Sequence, residues 1–373
     1  MVDLKSQYQN IKIEIDEAIQ EVIDNTTFIK GPAVAQFNIQ LAQFLNVHSV
    51  VSCANGTDAL QIAMMALDLK PGDEVIVPSF TYVATAEVIG LLGLTPVLID
   101  VDPDTFNITA ELFEKAITPK TKLVVPVHLF GQAADMEGIM KLARQHNIFV
   151  IEDTAQALGA DYTFSDGSIQ KLGTIGDIGC TSFFPSKNLG CFGDGGATYT
   201  NNPELATQLQ MIANHGQPKQ YTHDVIGVNS RLDTIQAAVL NVKIKYLDQY
   251  NLSRQKAANY YDTHFGKNVN LQIPHRNSQS NHVFHQYTLK VLNGKRDELK
   301  AHLQNAGIPS MIYYPKPLHH QKAYENLGRK IGDLTISETL CSEVLSLPMH
   351  TEMNDEQLAY IVKHVNDFFE NYG

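Results

Sequence analysis

Five short apolar runs punctuate the first 151 residues of this chain: Val50-Val51-Ser52, Glu74-Val75-Ile76-Val77, Pro96-Val97-Leu98-Ile99, Leu123-Val124-Val125-Pro126-Val127 and Ile148-Phe149-Val150-Ile151. A strand with one wet face alternates apolar and polar residues. These runs are hydrophobic almost throughout, so each reads as a parallel strand covered on both faces. Amphipathic segments at 57–67, 81–92 and 135–146 separate them with the spacing of crossover helices. Regular alternation of strand and helix specifies a doubly wound α/β sheet.

The pattern changes at 246–254, after a long helical reading that begins at Thr234. Beyond it, 286–291 alternates like a strand, 296–305 reads as a helix closed by Gly307, 311–314 reads as a further strand, and 355–369 is an amphipathic helix. Two domains are expected: a large α/β domain over residues 1–248 and a smaller α+β domain over 249–373. No internal repeat or Pro-rich linker separates them, so close packing is expected.

Composition removes several classes of function. Apolar residues make up 44% of the chain, which excludes disorder as its main state. Against 28 Lys and Arg stand 40 Asp and Glu, a formal charge of −12 that repels phosphate backbones and anionic lipid, so no nucleic-acid or membrane partner is expected. Cys53, Cys180, Cys191 and Cys341 show no CxxC spacing, in keeping with a reducing compartment. The start, Met1-Val2-Asp3-Leu4-Lys5, lacks the apolar core of a signal peptide. Thr95 and Pro96 interrupt the longest apolar stretch, well short of the ~18 residues of a membrane span. A cytoplasmic location is expected.

Three constellations carry chemistry. In Val51-Ser52-Cys53-Ala54-Asn55-Gly56-Thr57 a strand meets an Asn-Gly turn and a helix start, whose free amides and dipole hold a phosphate without any cation. An ordinary N-cap is the plainer alternative, and the stretch matches neither GxxxxGK[ST] nor GxGxxG. Asp153 directly follows the run at 148–151, which puts its carboxylate at the carboxyl edge of the sheet, where open α/β folds bind ligands. It either caps the next helix or pairs with a protonated ring nitrogen. Lys187 follows Thr181-Ser182-Phe183-Phe184-Pro185-Ser186 and precedes a glycine-rich stretch at 190–196. Apolar surroundings disfavour its ammonium form, the condition for reaction with an aldehyde, and Phe183, Phe184 and Leu189 weaken the alternative of an exposed turn lysine. A phosphate anchor, a carboxylate for a ring nitrogen and an amine for an aldehyde are together the minimum set for pyridoxal 5'-phosphate.

With these motifs in order, the chain resembles the DegT/StrS-type pyridoxal-phosphate-dependent nucleotide-sugar aminotransferases almost end to end. The carrying stretches are Phe28-Ile29-Lys30-Gly31-Pro32, Ala54-Asn55-Gly56-Thr57-Asp58-Ala59-Leu60, Pro78-Ser79-Phe80-Thr81-Tyr82, Glu152-Asp153-Thr154-Ala155-Gln156, Ser182 to Lys187 and Gly227-Val228-Asn229-Ser230-Arg231-Leu232-Asp233. The resemblance implies fold type I of the pyridoxal-phosphate transferases, as in aspartate aminotransferase: a large, mostly parallel-sheet domain and a smaller C-terminal α+β domain. It implies that Lys187 holds the cofactor and shuttles the proton, that Asp153 partners the pyridinium nitrogen, that Gln156 lies near the ring hydroxyl and that Tyr82 stacks on the ring. Gly56, Thr57 and Ser182 match the phosphate cup. Asn229 matches a residue that reaches the phosphate of a neighbouring subunit, which implies a homodimer with shared active sites. Related sugar dehydratases carry His where this chain has Lys187, so the lysine points to transamination.

Within the family the likeness is to UDP-2-acetamido-2-deoxy-3-oxo-glucuronate aminotransferases of bacterial surface polysaccharide biosynthesis. Glutamate as donor, leaving as 2-oxoglutarate, and a UDP-sugar as acceptor are implied. Two departures bear on the substrate: Tyr313 stands where that group often has His before Tyr314-Pro315, and the loop at 161–174 is longer. Lys30, Arg231, Tyr313 and Tyr314 are the candidate substrate residues; Arg231 either binds a substrate anion or pairs with Asp233 or Asp224 at an interface. Amination at C4 of a 4-keto-6-deoxy sugar, or a non-catalytic regulator on the same fold, are the rivals. His319-His320 and His282-x-x-His285 lack a further ligand at the usual spacing, so no metal is expected, and Cys191 reads as packing.

Overall fold

The structure, a computed structural model, describes the backbone of residues 1–372 and side chains through residue 370. In chain order its strands are β1 (Ser49–Cys53), β2 (Glu74–Pro78), β3 (Thr95–Ile99), β4 (Thr121–Val124), β5 (Phe149–Asp153), β6 (Asp161–Thr163), β7 (Ile169–Lys171), β8 (Ile178–Ser182), β9 (Gly196–Thr200), β10 (Leu271–Gln272), β11 (Tyr287–Val291), β12 (Arg329–Lys330) and β13 (Val344–Leu347). Eight of them form one sheet in the order β1-β9-β8-β5-β4-β2-β3-β12. From β8 through β12 every neighbouring pair is parallel. Helices Gly56–Ala66, Ala84–Leu91 and Met136–His146 are the crossovers, and two apolar clusters fill the layers between sheet and helices.

The expected parallel pairing fails at β1, which runs in the same direction as β8 but is not its neighbour. β1 pairs with β9 alone, and antiparallel, because the chain leaving β8 turns through 183–195 and returns as β9 between β8 and β1. An unbroken apolar run reports that both faces are covered; it carries no information about the direction of the neighbour. Gly179 of β8 marks the packing of that turn: a Cβ there would stand 2.2 Å from the Tyr199 ring and 2.3 Å from the Gly173 carbonyl oxygen. Only glycine lets the β9 tyrosine cross β8 at that depth.

The C-terminal part builds a smaller antiparallel sheet, β10-β11-β13, backed by helices Arg296–Asn305 and Asp355–Tyr372. Tyr261, Phe265, Leu289, Leu345 and Val365 form its core. Residue 249, the expected domain start, lies in the first turn of the helix Leu247–Phe265. The expected strand at 311–314 is not formed. Met311 makes a single bridge to Ser346, and Ile312, Tyr313 and Tyr314 pack as a loop against the core of the large sheet, so their apolar character reflects burial without a ladder. The loop at 161–174 folds on itself as the hairpin β6-β7. β12 crosses back to the edge of the large sheet, where the Arg329 guanidinium donates to Glu74 at 3.0 and 2.9 Å.

Parallel strands that share a direction end on one edge. The turns after β2, β5 and β8 therefore open side by side, and these are the segments 79–83, 154–157 and 183–187.

Candidate active site

Those turns surround a cavity of ≈ 640 Å³ lined by Gly56, Thr57, Tyr82, Asp153, Gln156, Ser182, Lys187, Tyr313 and Tyr314, among others. The sequence candidates from five separate segments thus converge. At one end is the start of the helix Gly56–Ala66. Asn55 caps it, its side-chain oxygen accepting from the Asp58 amide at 2.8 Å. The Ser230 hydroxyl fastens the approach, donating to Asp58 at 2.6 Å and accepting from the Ala54 amide at 3.0 Å. A Cβ on Gly56 would lie 2.6 Å from the Ser182 Cβ, so glycine is what allows this helix start to lie against the serine. The amides of 56 and 57 and the Ser182 hydroxyl form a cup for an anion.

Asp153 ends β5. Its Oδ2 accepts from the Thr85 hydroxyl at 3.0 Å and its Oδ1 from the Ala155 amide at 3.0 Å. Strand alternation sends its neighbour Glu152 to the opposite face, where the carboxylate is fully buried. There it accepts from the amides of Gly173, Ile175 and Gly176 and lies 3.0 Å from His128 Nε2. Two consecutive acids therefore do separate work: one ties down the loop before β8, the other faces the cavity.

Lys187 sits in the turn that its own amide closes on the Phe184 carbonyl at 2.8 Å. Phe183 and Leu189 are buried beside it, whereas Phe184 is half exposed at the cavity wall. Burial pushes the Lys187 amine down to about 8, against the upward pull of the Asp153 carboxylate. Gln156 is committed to scaffolding: its oxygen accepts from the Phe130 amide at 2.7 Å and its amide donates to the Tyr314 hydroxyl at 3.1 Å. Tyr82 stands at the mouth, 57% exposed, with its ring centroid 6.4 Å from that of Tyr314.

Three candidates lie off the cavity. Lys30 donates to Asn214 at 2.8 Å, Asn214 bridges Asn229, and the Thr234 amide donates to the Phe28 carbonyl at 3.0 Å, so Lys30, Asn229 and Arg231 belong to one surface patch. No ion pair joins Arg231 to Asp233 or Asp224 among the described residues. Conversely, Phe130, His285 and Gln286 line the cavity and were not singled out as site residues, nor was Thr85, which holds Asp153. His285 is buried, which drives its imidazole far below the ordinary range and keeps it neutral. The pair His282-x-x-His285 was visible in the sequence; what brings its second member here is the path into β11.

A model of the DegT/DnrJ/EryC1/StrS aminotransferase family matches residues 9–366. The chain belongs to that family. The fold class and resemblance read from the sequence hold, and membership makes the protein a sugar aminotransferase with pyridoxal phosphate as its cofactor. Among relatives of this aminotransferase is the UDP-2-acetamido-2-deoxy-3-oxo-D-glucuronate aminotransferase of Pseudomonas aeruginosa, 45% identical over 360 residues, 96% of this chain and 97% of that one. Another, named a pleiotropic regulatory protein, is from Geobacillus stearothermophilus, 43% identical over 100% of this chain and 99% of its own. Among solved structures, a DegT DnrJ EryC1 StrS aminotransferase from Brucella abortus superposes with a TM-score of 0.94 at 41% identity, covering 98% of each chain. NtdA from Bacillus subtilis, with bound cofactor PMP, does so with 0.88 at 31%, covering 97% of this chain and 82% of that one.

The residues present fit pyridoxal phosphate. Lys187 has a desolvated amine without a hydrogen-bond partner among the described residues, and the Gly56–Ser182 contact leaves a cradle that any side chain at 56 would fill. Among the described residues no helix is long and apolar enough to cross a membrane.

Proposed function

We propose that this aminotransferase transfers an amino group from glutamate to C3 of a UDP-linked 3-keto sugar, with UDP-2-acetamido-2-deoxy-3-oxo-glucuronate as acceptor, for a bacterial surface polysaccharide made in the cytoplasm. The observation that carries the reading is the single cavity in which the Lys187 amine, the Asp153 carboxylate and the cup of Gly56, Thr57 and Ser182 face one another. Bound pyridoxal phosphate supplies the electron sink for charge at the reacting carbon. Lys187 would secure the cofactor and move the proton, from the donor's alpha carbon to the cofactor's C4′ carbon in the first half of the cycle and from C4′ to the sugar carbon in the second. Asp153, held by Thr85, keeps the ring nitrogen protonated. Gly56, Thr57 and Ser182 bind the phosphate through amides and a hydroxyl, a mode of anion binding open to a chain of charge −12 because it needs no cation. Tyr82, at the cavity mouth, would stack on the cofactor ring, and Gln156 steadies Tyr314 through its hydroxyl.

The patch carrying Lys30, Asn229 and Arg231 is the basis for a homodimer. Phe28, Ile29, Tyr221 and Ile226 are exposed beside it, the last two at 85%. A second copy packed there covers these side chains and offers Asn229 and Arg231 to its neighbour's cavity. Arg231 then meets a substrate carboxylate or diphosphate.

The test is the reaction. Purified protein, glutamate and the 3-keto uronate should yield the amino sugar and 2-oxoglutarate by mass spectrometry, with a 4-keto-6-deoxy nucleotide sugar run in parallel; preference for the latter moves the amination to C4. The regulatory name of one relative favours a second reading, a regulator without turnover. Failure of glutamate to change the absorbance of the bound cofactor would support it.

A further inference from the structure

His319, His320 and Glu338 meet just beyond, in the chain, the segment Tyr313-Tyr314-Pro315 that lines the cavity. The two histidines end the short turn Leu318–His320, and Glu338 comes from the helix Thr335–Glu343, 19 residues beyond His319. That gap is why no ligand spacing is visible in the sequence. Glu338 Oε1 lies 3.0 Å from His319 Nε2 and 3.3 Å from His320 Nε2, and the three ligand atoms all fall within 4.8 Å of one another. Zinc bonds of about 2.0–2.1 Å at tetrahedral angles put neighbouring donors about 3.3 Å apart, so both contacts already have the span of a site edge. A simple ion pair needs one imidazole; here two converge on a single carboxylate oxygen.

The arrangement is also supported from behind. The His319 side chain is 4% exposed, and its other ring nitrogen lies 2.7 Å from the hydroxyl of Ser79, itself fully buried. A metal-bound imidazole uses such a partner to fix its tautomer and orientation. In front lies a hollow of ≈ 520 Å³, also bordered by Lys316, Lys322 and Glu325, with room for water as a further ligand.

We propose that His319, His320 and Glu338 form a three-ligand site for a divalent first-row transition metal, with zinc as the ion their two imidazoles and one carboxylate suit. The bound ion fastens the segment that walls the cavity to the helix Thr335–Glu343. The proposal is independent of the sugar that the enzyme aminates.

The experiment is calorimetric titration of EDTA-treated, metal-free holoenzyme with ZnCl2, repeated with Co2+ followed by visible absorption. One ion per chain is expected, with the absorption bands of low-coordinate Co2+. His320→Ala and Glu338→Gln should each weaken binding at least tenfold, and Ser79→Ala by about 10–100-fold. His320 is 50% exposed, so its replacement leaves the fold intact. Absence of saturable uptake by the wild type overturns the proposal, as do His320→Ala and Glu338→Gln variants that bind zinc as the wild type does.

Discussion

Lys187 stands under two opposing influences, and their balance sets when its amine can act. Burial lowers it to about 8 while Asp153 pulls it up. Below that pH the amine is protonated and inert toward an aldehyde; above it the free amine dominates. The rate at which cofactor-free protein takes up pyridoxal phosphate should therefore rise with pH through about 8 and level off, where an ordinary lysine at about 10.4 would keep rising. Asp153→Asn removes the upward pull and moves that midpoint to lower pH, which stopped-flow absorbance can follow. Lys187→Ala should lose on the order of 10²–10⁴ in kcat from proton transfer alone, and borohydride treatment should leave no cofactor on the protein. Thr85→Val leaves Asp153 with one donor fewer; a hydrogen bond to a charged group is worth about 1.5–3 kcal/mol, so kcat/KM should fall roughly 10–100-fold. Asp153 was legible from its place after an apolar run. Thr85 was not, because its role exists only where the first turn of the helix Ala84–Leu91 meets the end of β5.

At the scale of elements, the helix Gly56–Ala66 does two jobs with one terminus. Its cap is internal to the chain, Asn55 to Asp58, and its open amides face the cavity. Asn55→Ala should cost about 1 kcal/mol in urea unfolding of the cofactor-free protein. Gly56→Ala should raise the Kd for pyridoxal phosphate, since its Cβ would stand 2.6 Å from that of Ser182 and push the two sides of the cup apart. Both effects follow from a turn that the sequence displays openly as Asn55-Gly56-Thr57. Elements with no local signal went unread. β12 is two residues long and is a strand only because β3 offers it an edge. The segment at 311–314 has the composition of a strand but finds no partner beyond Met311.

For the whole molecule, the separation of Lys30, Asn229 and Arg231 from the cavity leads to a quantitative expectation. If each site takes Arg231 from a neighbour, Lys187→Ala and Arg231→Ala variants are both inactive alone, yet a mixed dimer holds one intact site. Random reassembly of equal amounts should then restore about a quarter of wild-type activity, while sites complete within one chain would recover nothing. Light scattering should give twice the mass of 41.4 kDa. The sequence by itself determined the sheet class, the order of crossover helices, and which residue types stand at the carboxyl ends of strands, because burial on both faces and helix-start chemistry are local properties of a few consecutive residues. Only the tertiary structure decided the antiparallel seat of β1, the recruitment of Thr85, His285 and Gln286, the displacement of Arg231 from its own cavity and the meeting of Glu338 with His319 and His320. Each of these is a juxtaposition of segments far apart in the chain, and the pattern of either segment alone carries no record of the other.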